Sequence, residues 1–562
     1  MPHGSRTLSY IVAVVCVLLA LASSWVIPAR LYFGEGHSYY TFAIVGDEPY
    51  YADRIQALIP GTTAANPHNG VGDPRAISPL FLDGLLREIV TVLHMDVLTA
   101  FWIWRIVFPV VMFASIFALS RAALGRRRPW HDVAISAALA YAIIHLVYEL
   151  IVYYPKLQGW IIRIPTGAEY VLSVLTLLAF WRMLVLRNTR SALWLAAAMA
   201  ALVYLRPYAA VAWGPAFALA AAVSIALRRL PLRTALIAGA FGLLLLIPML
   251  GVQFWNRGIP AYTESIPRFL INVPYEIHPL WPRLLAAALA IIILGVLLKG
   301  RGRIAVVSMG IVVAALPLLA GIPATFRNEL AGYDRFGCTY LVALGFATVL
   351  LLRRRAQYSS STPYAALACA LSCAVLVHNA TADFSNLPQS PYNAIVHEQR
   401  YLEGYRYMAA HTPEDALVLL DDRTDWSVVP IGDREAEAAW YRQHWYDDTF
   451  SIVARRRRVS HVRLYTCPIS NQDLNLMIFL QRATFGLRYR DEAKVDRLYA
   501  NVLELHRPQY IFWKRDAPVP RGRGARLKSA ADVVYTDEAC EVWKLRYPDA
   551  VKVFENAAHE SR

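Results

Sequence analysis

Charged residues are scarce in this chain: they make up 17% of its 562 residues, against about 25% in an average soluble protein. Apolar residues fill 57% of the positions and are gathered into long blocks. An ordinary soluble globular protein is therefore excluded. The blocks have the length and composition of membrane-spanning helices, which need about 20 mostly apolar residues each.

The sequence also lacks the motifs of nucleotide-dependent and hydrolytic enzymes. It contains no glycine-rich phosphate loop, no dinucleotide-binding fingerprint and no nucleophile elbow. Cysteine is rare, at 6 residues, and its spacing fits no zinc site. Only Cys467 and Cys540 fall in the polar C-terminal part, where pairing and two free thiols both stay open. A cytoplasmic enzyme that uses a nucleotide thus has no support.

Acidic residues are outnumbered, 41 against 56 Lys and Arg residues, which gives a net charge of +15. A protein that binds nucleic acid would gather this excess on one basic face. Here much of it lies in short clusters between apolar blocks, such as Arg126-Arg127-Arg128 and Arg353-Arg354-Arg355. That pattern is typical of cytoplasmic loops of membrane proteins. We therefore expect no nucleic-acid partner.

The apolar blocks predict eleven membrane spans, at residues 8–28, 98–120, 132–154, 168–186, 192–205, 208–227, 234–252, 283–298, 304–322, 337–352 and 362–378. One stretch decides the count, because residues 192–227 as a single helix would be about 54 Å long against a hydrocarbon core of about 30 Å. Arg206-Pro207 interrupts it, since proline breaks helices and arginine avoids hydrocarbon. With a cytoplasmic N-terminus, eleven crossings place the C-terminal tail outside.

The tail after the last block has the pattern of a small α/β domain. Residues 379–397 are polar and indicate a linker, and Glu398–His411 has a helical pattern. Short apolar runs at 416–420, 510–513, 533–535 and 542–545 predict strands. We therefore predict an α-helical polytopic membrane domain at residues 1–378 and an extracytoplasmic α/β domain at residues 379–562.

Acidic and aromatic residues stand together in the first predicted outer loop, residues 29–97. Asp47-Glu48 is followed by Tyr51, and Asp73 lies farther along the loop. Adjacent carboxylates at a membrane surface suit a general base or a metal ligand. They also suit the start of a helix with Asp47 as its N-cap. The two interpretations are compatible, because a helix on the membrane surface can present its capping acid to a substrate.

Ionisable residues near the outer ends of the spans each allow two interpretations. His145 and Glu149 lie four residues apart on one helical face, as a functional pair or as a structural lock between helices. Lys156, Arg163 and Arg206 lie near the outer interface. There they either bind a lipid phosphate or anchor the headgroup region.

The order and sidedness of these motifs resemble the GT-C superfamily, membrane glycosyltransferases that use polyprenyl-phosphate-linked sugars. The shared positions are Asp47-Glu48 with Tyr51 and Ala52, Pro79-Leu80, Arg105, Arg206-Pro207 and Arg335-Phe336. At the last of these, phenylalanine stands where tyrosine is more usual. The resemblance implies an outward-facing site in which an acidic residue of the first outer loop acts as a base or orients the acceptor. It leaves Asp73 and Glu149 as alternatives for a second acid.

The residues and the resemblance together predict a glycosyltransferase of the inner (plasma) membrane. It would transfer a sugar, with inversion, from a polyprenyl-phosphate carrier to an extracytoplasmic glycan, lipid or protein. Asp47 is the predicted base, supported by Glu48, and these two could also bind a divalent cation, although the reaction requires no cofactor. The predicted substrate-binding residues are Tyr51, Asp73, Arg105, Glu149, Lys156, Arg163, Arg206 and Arg335, with Arg335 and Arg206 preferred for the donor phosphate.

Two other classes of protein stay open. A transporter or flippase of lipid-linked sugars would carry charged residues through the depth of several spans, in symmetric halves with broken helices. Neither feature is evident in the sequence. A non-catalytic membrane scaffold that binds glycan would use the loop acids only structurally. Release of free polyprenyl phosphate distinguishes the enzyme from both.

Overall fold

The structure is a computed structural model that describes residues 3–34, 81–95, 97–125, 127–148, 164–205, 207–256, 281–315, 333–355, 362–381, 401–413, 416–420, 458–459, 484, 492–515 and 522–560. The chain divides into two compact units. One contains the apolar helices, and the other contains a small sheet.

Each predicted membrane span corresponds to a helix of the first unit. The described helices up to residue 381 are α1 (His3–Gly34), α2 (Phe81–Val92), α3 (Val97–Leu124), α4 (Trp130–Val147), α5 (Ile164–Leu186), α6 (Thr189–Leu205), α7 (Pro207–Ala226), α8 (Leu232–Asn256), α9 (Trp281–Leu297), α10 (Gly300–Ala315), α11 (Tyr333–Arg355) and α12 (Thr362–Thr381). Of these, α2 belongs to the second unit and lies within the predicted first outer loop.

Five of the helices are long and apolar enough in their described residues to cross a membrane. These segments are Thr7–Arg30, Thr99–Leu124, Trp130–Val147, Gly167–Leu186 and Thr362–Thr381. Helices suit this environment because each satisfies its own backbone hydrogen bonds where water is absent. The prediction of a multi-pass helical membrane protein is confirmed in outline, and the count of eleven crossings stays a prediction.

The long apolar stretch at 192–227 forms two helices, as predicted. Helix α6 ends at Leu205 and helix α7 begins at Pro207, and the two pack against each other. Proline suits the first position of a helix because it has no N–H to leave unsatisfied there. The interruption at Arg206 therefore turns one over-long segment into a helical hairpin.

Close helix packing in the first unit depends on glycine. A Cβ atom placed on Gly310 of α10 would lie 2.5 Å from Cγ1 of Ile292 on α9. On the facing side, a Cβ on Gly295 of α9 would lie 2.8 Å from Cγ2 of Val307. Small residues let helix backbones approach in a membrane, where dispersion contacts drive association. These two glycines therefore fix the α9–α10 pair.

The second unit contains a mixed five-stranded sheet in the C-terminal part of the chain. Its strands, in chain order, are β1 (Leu417–Leu420), β2 (Arg458–Val459), β3 (Tyr510–Lys514), β4 (Ala531–Thr536) and β5 (Cys540–Leu545). The order across the sheet is β2-β1-β3-β5-β4, with β2, β1 and β3 parallel and β5 antiparallel to both β3 and β4. The predicted α/β character and four of the strands are confirmed.

Helices cover this sheet. They are α13 (Leu402–His411), α14 (Glu492–His506), α15 (Arg523–Ser529) and α16 (Asp549–Glu560). The core between them holds the stacked indole rings of Trp513 and Trp543, whose centroids are 4.8 Å apart. The sequence interpretation found α13 but not α14 or α16, because both carry many charged residues on their exposed faces.

A charged cluster lies beside this core. The Glu541 carboxylate accepts hydrogen bonds from Lys528 Nζ at 2.6 Å and Trp543 Nε1 at 2.7 Å, and Arg515 Nη2 lies 3.2 Å away. Burial by itself would raise the pKa of Glu541. The bonds from Lys528 and Trp543, with the charges of Lys528 and Arg515, lower that pKa below its ordinary value instead.

The edge strand β4 is irregular. Its pairing with β5 shifts register between Val533 and Tyr535, where a β-bulge interrupts the ladder. Beside it, the exposed Asp532 side chain forms an ion pair with Arg546 at 2.6 Å. Cys540 of β5 is buried, with its thiol 3.7 Å from Asp537 Oδ2. Cys467 lies outside the described residues, so pairing between these cysteines stays open.

Candidate functional site

The described residues include the side chain of one predicted site residue, Arg105. For Arg335 they include the backbone, in the first turn of α11. The other predicted residues lie outside the described part of the chain: Asp47, Glu48, Tyr51, Asp73, Glu149, Lys156, Arg163 and Arg206. Their roles stay predictions.

Arg105 lies in the third turn of α3 and is buried, with 2% of its surface exposed. Its guanidinium carbon lies 5.1 Å from the centroid of the Trp102 ring, at cation–π distance. A charged side chain inside an apolar helical bundle is costly unless it is paired or faces a polar cavity. Arg105 is thus buried within the apolar bundle, and its predicted role in substrate binding stays a prediction.

Glu169 is a second buried ionisable side chain, and sequence reasoning missed it. It lies in the second turn of α5 and is also 2% exposed. Helix α5 meets α3 next to it, where a Cβ on Gly167 would lie 2.8 Å from Trp104 Cζ2. Arg105 and Glu169 each lie within two residues of this contact. The signal in the sequence was an isolated acid at the start of an otherwise apolar block.

Two further contacts join the helices near Glu169. The Trp213 indole N–H on α7 donates to Ser173 Oγ on α5 at 3.1 Å, and both side chains are fully buried. The Tyr148 and Tyr170 rings meet edge to face, with centroids 6.1 Å apart. These contacts join α4, α5 and α7 at the level of Glu169.

Two hydrogen bonds join α1 to α4 in the same region. Ser23 Oγ lies 3.2 Å from His145 Nδ1, and Ser24 Oγ lies 2.6 Å from the Tyr141 hydroxyl. All four side chains are buried. The His145 ring thus has a helix-bridging contact with a serine, which supports the structural alternative for this residue. Its predicted neighbour Glu149 lies outside the described residues.

We refer to these side chains together as the polar layer; it comprises Ser23, Ser24, Arg105, Tyr141, His145, Glu169, Ser173 and Trp213. The layer lies toward the C-terminal ends of α1 and α4 and toward the N-terminal ends of α3 and α5. The chain reverses direction between these helices, so all four ends fall at one end of the unit. The basic connections at Arg128 and Arg187 lie at the opposite ends of α4 and α5.

The polar layer combines a cation, a carboxylate and hydroxyl groups within an apolar bundle. Such a set can bind a phosphate through the guanidinium and hydroxyl groups of a sugar through the serines and tyrosine. Among the described residues, no group of three or more His, Cys, Asp or Glu side chains is placed to hold a metal ion.

Comparison with known proteins identifies neighbours among solved structures only. No family model and no curated protein matches the chain. The oligosaccharyltransferase AglB of Archaeoglobus fulgidus, in complex with an inhibitory peptide and a dolichol-phosphate, matches with a TM-score of 0.44 and 13% identity, covering 91% of this chain and 70% of AglB. Its apo form matches with a TM-score of 0.47, 12% identity and coverages of 92% and 70%.

A second enzyme matches along nearly its whole length. ArnT of Cupriavidus metallidurans, in the apo state, aligns with a TM-score of 0.41 and 13% identity, covering 92% of this chain and 96% of ArnT. AglB and ArnT are GT-C membrane glycosyltransferases, the superfamily that the motifs of this sequence resemble. At TM-scores below 0.5 the likeness does not by itself assign an activity to the chain.

Proposed function

We propose that the chain is a membrane glycosyltransferase that transfers a sugar, with inversion, from a polyprenyl-phosphate carrier to an extracytoplasmic acceptor. The observation that carries this proposal is the burial of Arg105 and Glu169 in the polar layer, at one end of an apolar bundle. In the proposed arrangement, residues 1–378 form the catalytic membrane domain and residues 379–562 an extracytoplasmic domain. The polar layer lies at the outer end.

The proposed reaction is a single displacement at the anomeric carbon of the donor. A nucleophilic atom of the acceptor forms the new bond while the bond to the phosphate oxygen breaks, and the phosphate leaves with the electron pair. Asp47 takes the acceptor's proton, and Glu48 holds the acceptor in position. A carrier phosphate is already a good leaving group, so the displacement needs no metal.

Arg105 is proposed to stabilise the phosphate in this reaction. A guanidinium binds phosphate oxygens through two parallel hydrogen bonds, and its effect grows in a site that excludes water. Burial beside the Trp102 ring supplies that exclusion at Arg105. Arg335, Arg206, Arg163 and Lys156 are proposed as further contacts to the carrier phosphate or the headgroup region.

The distribution of buried charge favours an enzyme over a transporter. In the described part of the first unit, the buried Arg and Glu side chains are Arg105 and Glu169, and both lie at the same end. A path for a charged substrate through the membrane would instead need such groups at several depths.

The test is release of polyprenyl phosphate by the purified protein. The protein is incubated with polyprenyl-phosphate sugars of different head groups and a panel of glycan, lipid and peptide acceptors. Arg105→Lys keeps the charge but loses the planar fork, and we expect turnover to fall by about 10²-fold. The matched control is Arg182→Lys, at the other end of α5, which should retain wild-type turnover. Movement of intact donor across a bilayer without its cleavage would overturn the proposal.

A further inference from the structure

Three connections between helices converge at the end of the first unit that lies away from the polar layer. They are the α5–α6 turn at Arg187, the α7–α8 turn at Arg229 and the α9–α10 turn, which leads into Gly300 and Arg301 at the start of α10. A Cβ placed on Gly300 would lie 3.9 Å from Arg229 Nη1, and Thr234 Oγ1 donates to the Arg187 carbonyl at 3.4 Å. The three turns are therefore neighbours in space, although more than 100 residues separate the first from the last.

The charge at this point is of one sign. The sequence contains no Asp or Glu between Glu169 and Glu264, and none between Glu276 and Glu329. These intervals contain all three turns, together with the further cations Arg190, Arg228, Arg233, Lys299 and Arg303. Among the described residues, Arg187, Arg229 and Arg301 form no ion pair with a carboxylate. Within the described ranges, the positive charge of these turns is therefore not balanced by an ion pair.

The three arginines are close enough to affect one another. Arg187 is exposed, while Arg229 and Arg301 are half-buried. Partial burial, followed by repulsion from Arg187 and Arg229, lowers the pKa of the Arg301 guanidinium below its ordinary value. Like charges repel one another, and a bound anion would relieve that repulsion.

The backbone gives a second reason to assign a role to Arg187, and it applies also to Arg228, the chain neighbour of Arg229. Arg187 and Arg228 have positive φ angles of 57° and 54°, in the left-handed region that favours glycine. The third turn does use glycine there, since Gly300 has a φ of 62°. Because glycine would fit all three turns with less strain, the backbone does not explain arginine at two of them.

Exposed leucines border the arginines. Leu186, Leu227, Leu232 and Leu297 are each at least half exposed, and each lies within a few residues of one of the three turns. A free phosphate ion would not contact such side chains. A phospholipid would place its phosphate on the guanidinium groups and its acyl chains on the leucines.

We propose that Arg187, Arg229 and Arg301 form a binding site for the phosphate of an anionic phospholipid. The site joins three helical hairpins, so the lipid would hold α5–α6, α7–α8 and α9–α10 together at this end. The proposal is independent of the glycosyltransferase activity, because it lies at the end of the helices opposite to the polar layer.

The experiment measures retention of lipid by the full-length protein in native mass spectrometry. The probes are phosphatidylglycerol, phosphatidylcholine and inorganic phosphate at equal concentrations. We expect the wild type to retain phosphatidylglycerol in preference to phosphatidylcholine, with an affinity that falls as ionic strength rises. Arg229→Gln combined with Arg301→Gln should weaken this binding at least tenfold. The matched control, Arg127→Gln combined with Arg128→Gln, removes two charges from the α3–α4 connection and should change it less than twofold.

A second pair of variants distinguishes loss of lipid binding from loss of folding. Arg229→Lys with Arg301→Lys preserves the net charge, and we expect intermediate binding because the ammonium lacks the planar fork. Equal lipid binding by wild type and the Gln pair would overturn the proposal, as would equal losses in the Gln pair and its control. Binding of inorganic phosphate as strong as that of phosphatidylglycerol would overturn the lipid assignment.

Discussion

The Sγ atoms of Cys16 on α1 and Cys369 on α12 lie 3.4 Å apart. The Cys16 thiol also lies 3.7 Å from the Ala365 carbonyl oxygen, one turn earlier on α12. Farther along, Arg30 Nη1 donates to the Asn379 carbonyl at 2.6 Å. The first and last helices of the membrane unit are therefore parallel neighbours, in register over several turns.

This register predicts a specific cross-link. The membrane-permeant oxidant copper–phenanthroline should join Cys16 to Cys369 in the native protein, since the two thiols need only a small movement to reach bonding distance. Mass spectrometry of digested, alkylated protein should show the linked peptide. Cys16→Ser should abolish it and leave Cys369 open to alkylation. Preferential joining of Cys16 to Cys373, which is exposed on the next turn, would contradict the register.

The crossing pattern predicts which connections face the cytoplasm. Reporter fusions after Arg128, Arg190, Arg233, Arg303 and Arg355 should report the cytoplasm, because basic loops are retained on that side. Fusions after Gly70, Pro267 and Ala380 should report the outside. A cytoplasmic signal after Ala380 would make the number of crossings even and would place the sheet domain inside.

Asp47→Asn tests the proposed base. Asparagine keeps the size and hydrogen-bonding capacity of the side chain but removes its charge and basicity. We expect turnover to fall by about 10²–10⁴ while the protein folds and binds donor normally. Steady-state release of polyprenyl phosphate measures the first effect and donor binding the second. Full activity in this variant would leave Asp47 as a helix cap and turn attention to Glu48 and Asp73.

Arg335→Lys tests whether this residue contacts the donor phosphate. Alternatively, Arg335 forms only a surface ion pair with the adjacent Asp334, worth about 1 kcal/mol or less. In that case Arg335→Lys should leave turnover nearly unchanged. If the guanidinium stabilises the departing phosphate, lysine should lower turnover clearly and alanine should abolish it. Donor affinity should weaken less than turnover, because the contact strengthens toward the transition state. Wild-type turnover in Arg335→Ala would exclude the residue from the site.

Replacing Glu541 by glutamine should change how the stability of the sheet domain depends on pH. The folded-state pKa of Glu541 is lowered, so its contribution to stability is present above the unfolded-state pKa, about 4.3, and is lost as pH falls through the lower folded-state value. Glutamine should cost about 1–3 kcal/mol at neutral pH, and less as the pH falls below about 4. The measurement is hydrogen-exchange protection of residues 540–545 in the full-length protein, relative to an unfolded standard at each pH.

Asp532→Asn is the matched control for this measurement. The Asp532–Arg546 ion pair joins the exposed side chain of Asp532 on β4 to that of Arg546, just after the end of β5, and such pairs contribute about 1 kcal/mol or less. Equal losses of protection in the two variants would mean that Glu541 has no special role.

Features set by local composition could be predicted from the sequence. The long apolar blocks predicted the membrane helices. Arg206-Pro207 predicted the break between α6 and α7, because the free-energy cost of placing proline and arginine inside a span depends only on the local sequence. Short apolar runs likewise predicted β1, β3, β4 and β5, because strand propensity also depends on local composition.

The polar layer could not be predicted from local composition. Ser23 donates to the Ala20 carbonyl of its own helix, as Ser136 does to the Asp132 carbonyl, so its sequence gives no sign that it also contacts another helix. Ser24 and Ser173 give no such sign either. Their partners, His145, Tyr141 and Trp213, lie from 40 to 122 residues away. Only the packing of α1 on α4 and of α5 on α7 brings them together.

The irregular edge strand β4 bears on how these proteins behave when many share one membrane. A flat, regular edge exposes a row of N–H and C=O groups to which a strand of a neighbouring molecule can add. The bulge between Val533 and Tyr535 breaks that row, and the charged Asp532–Arg546 pair stands beside it. Among the described strands, the β4 edge is therefore a poor template for a strand of a second copy to join edge to edge.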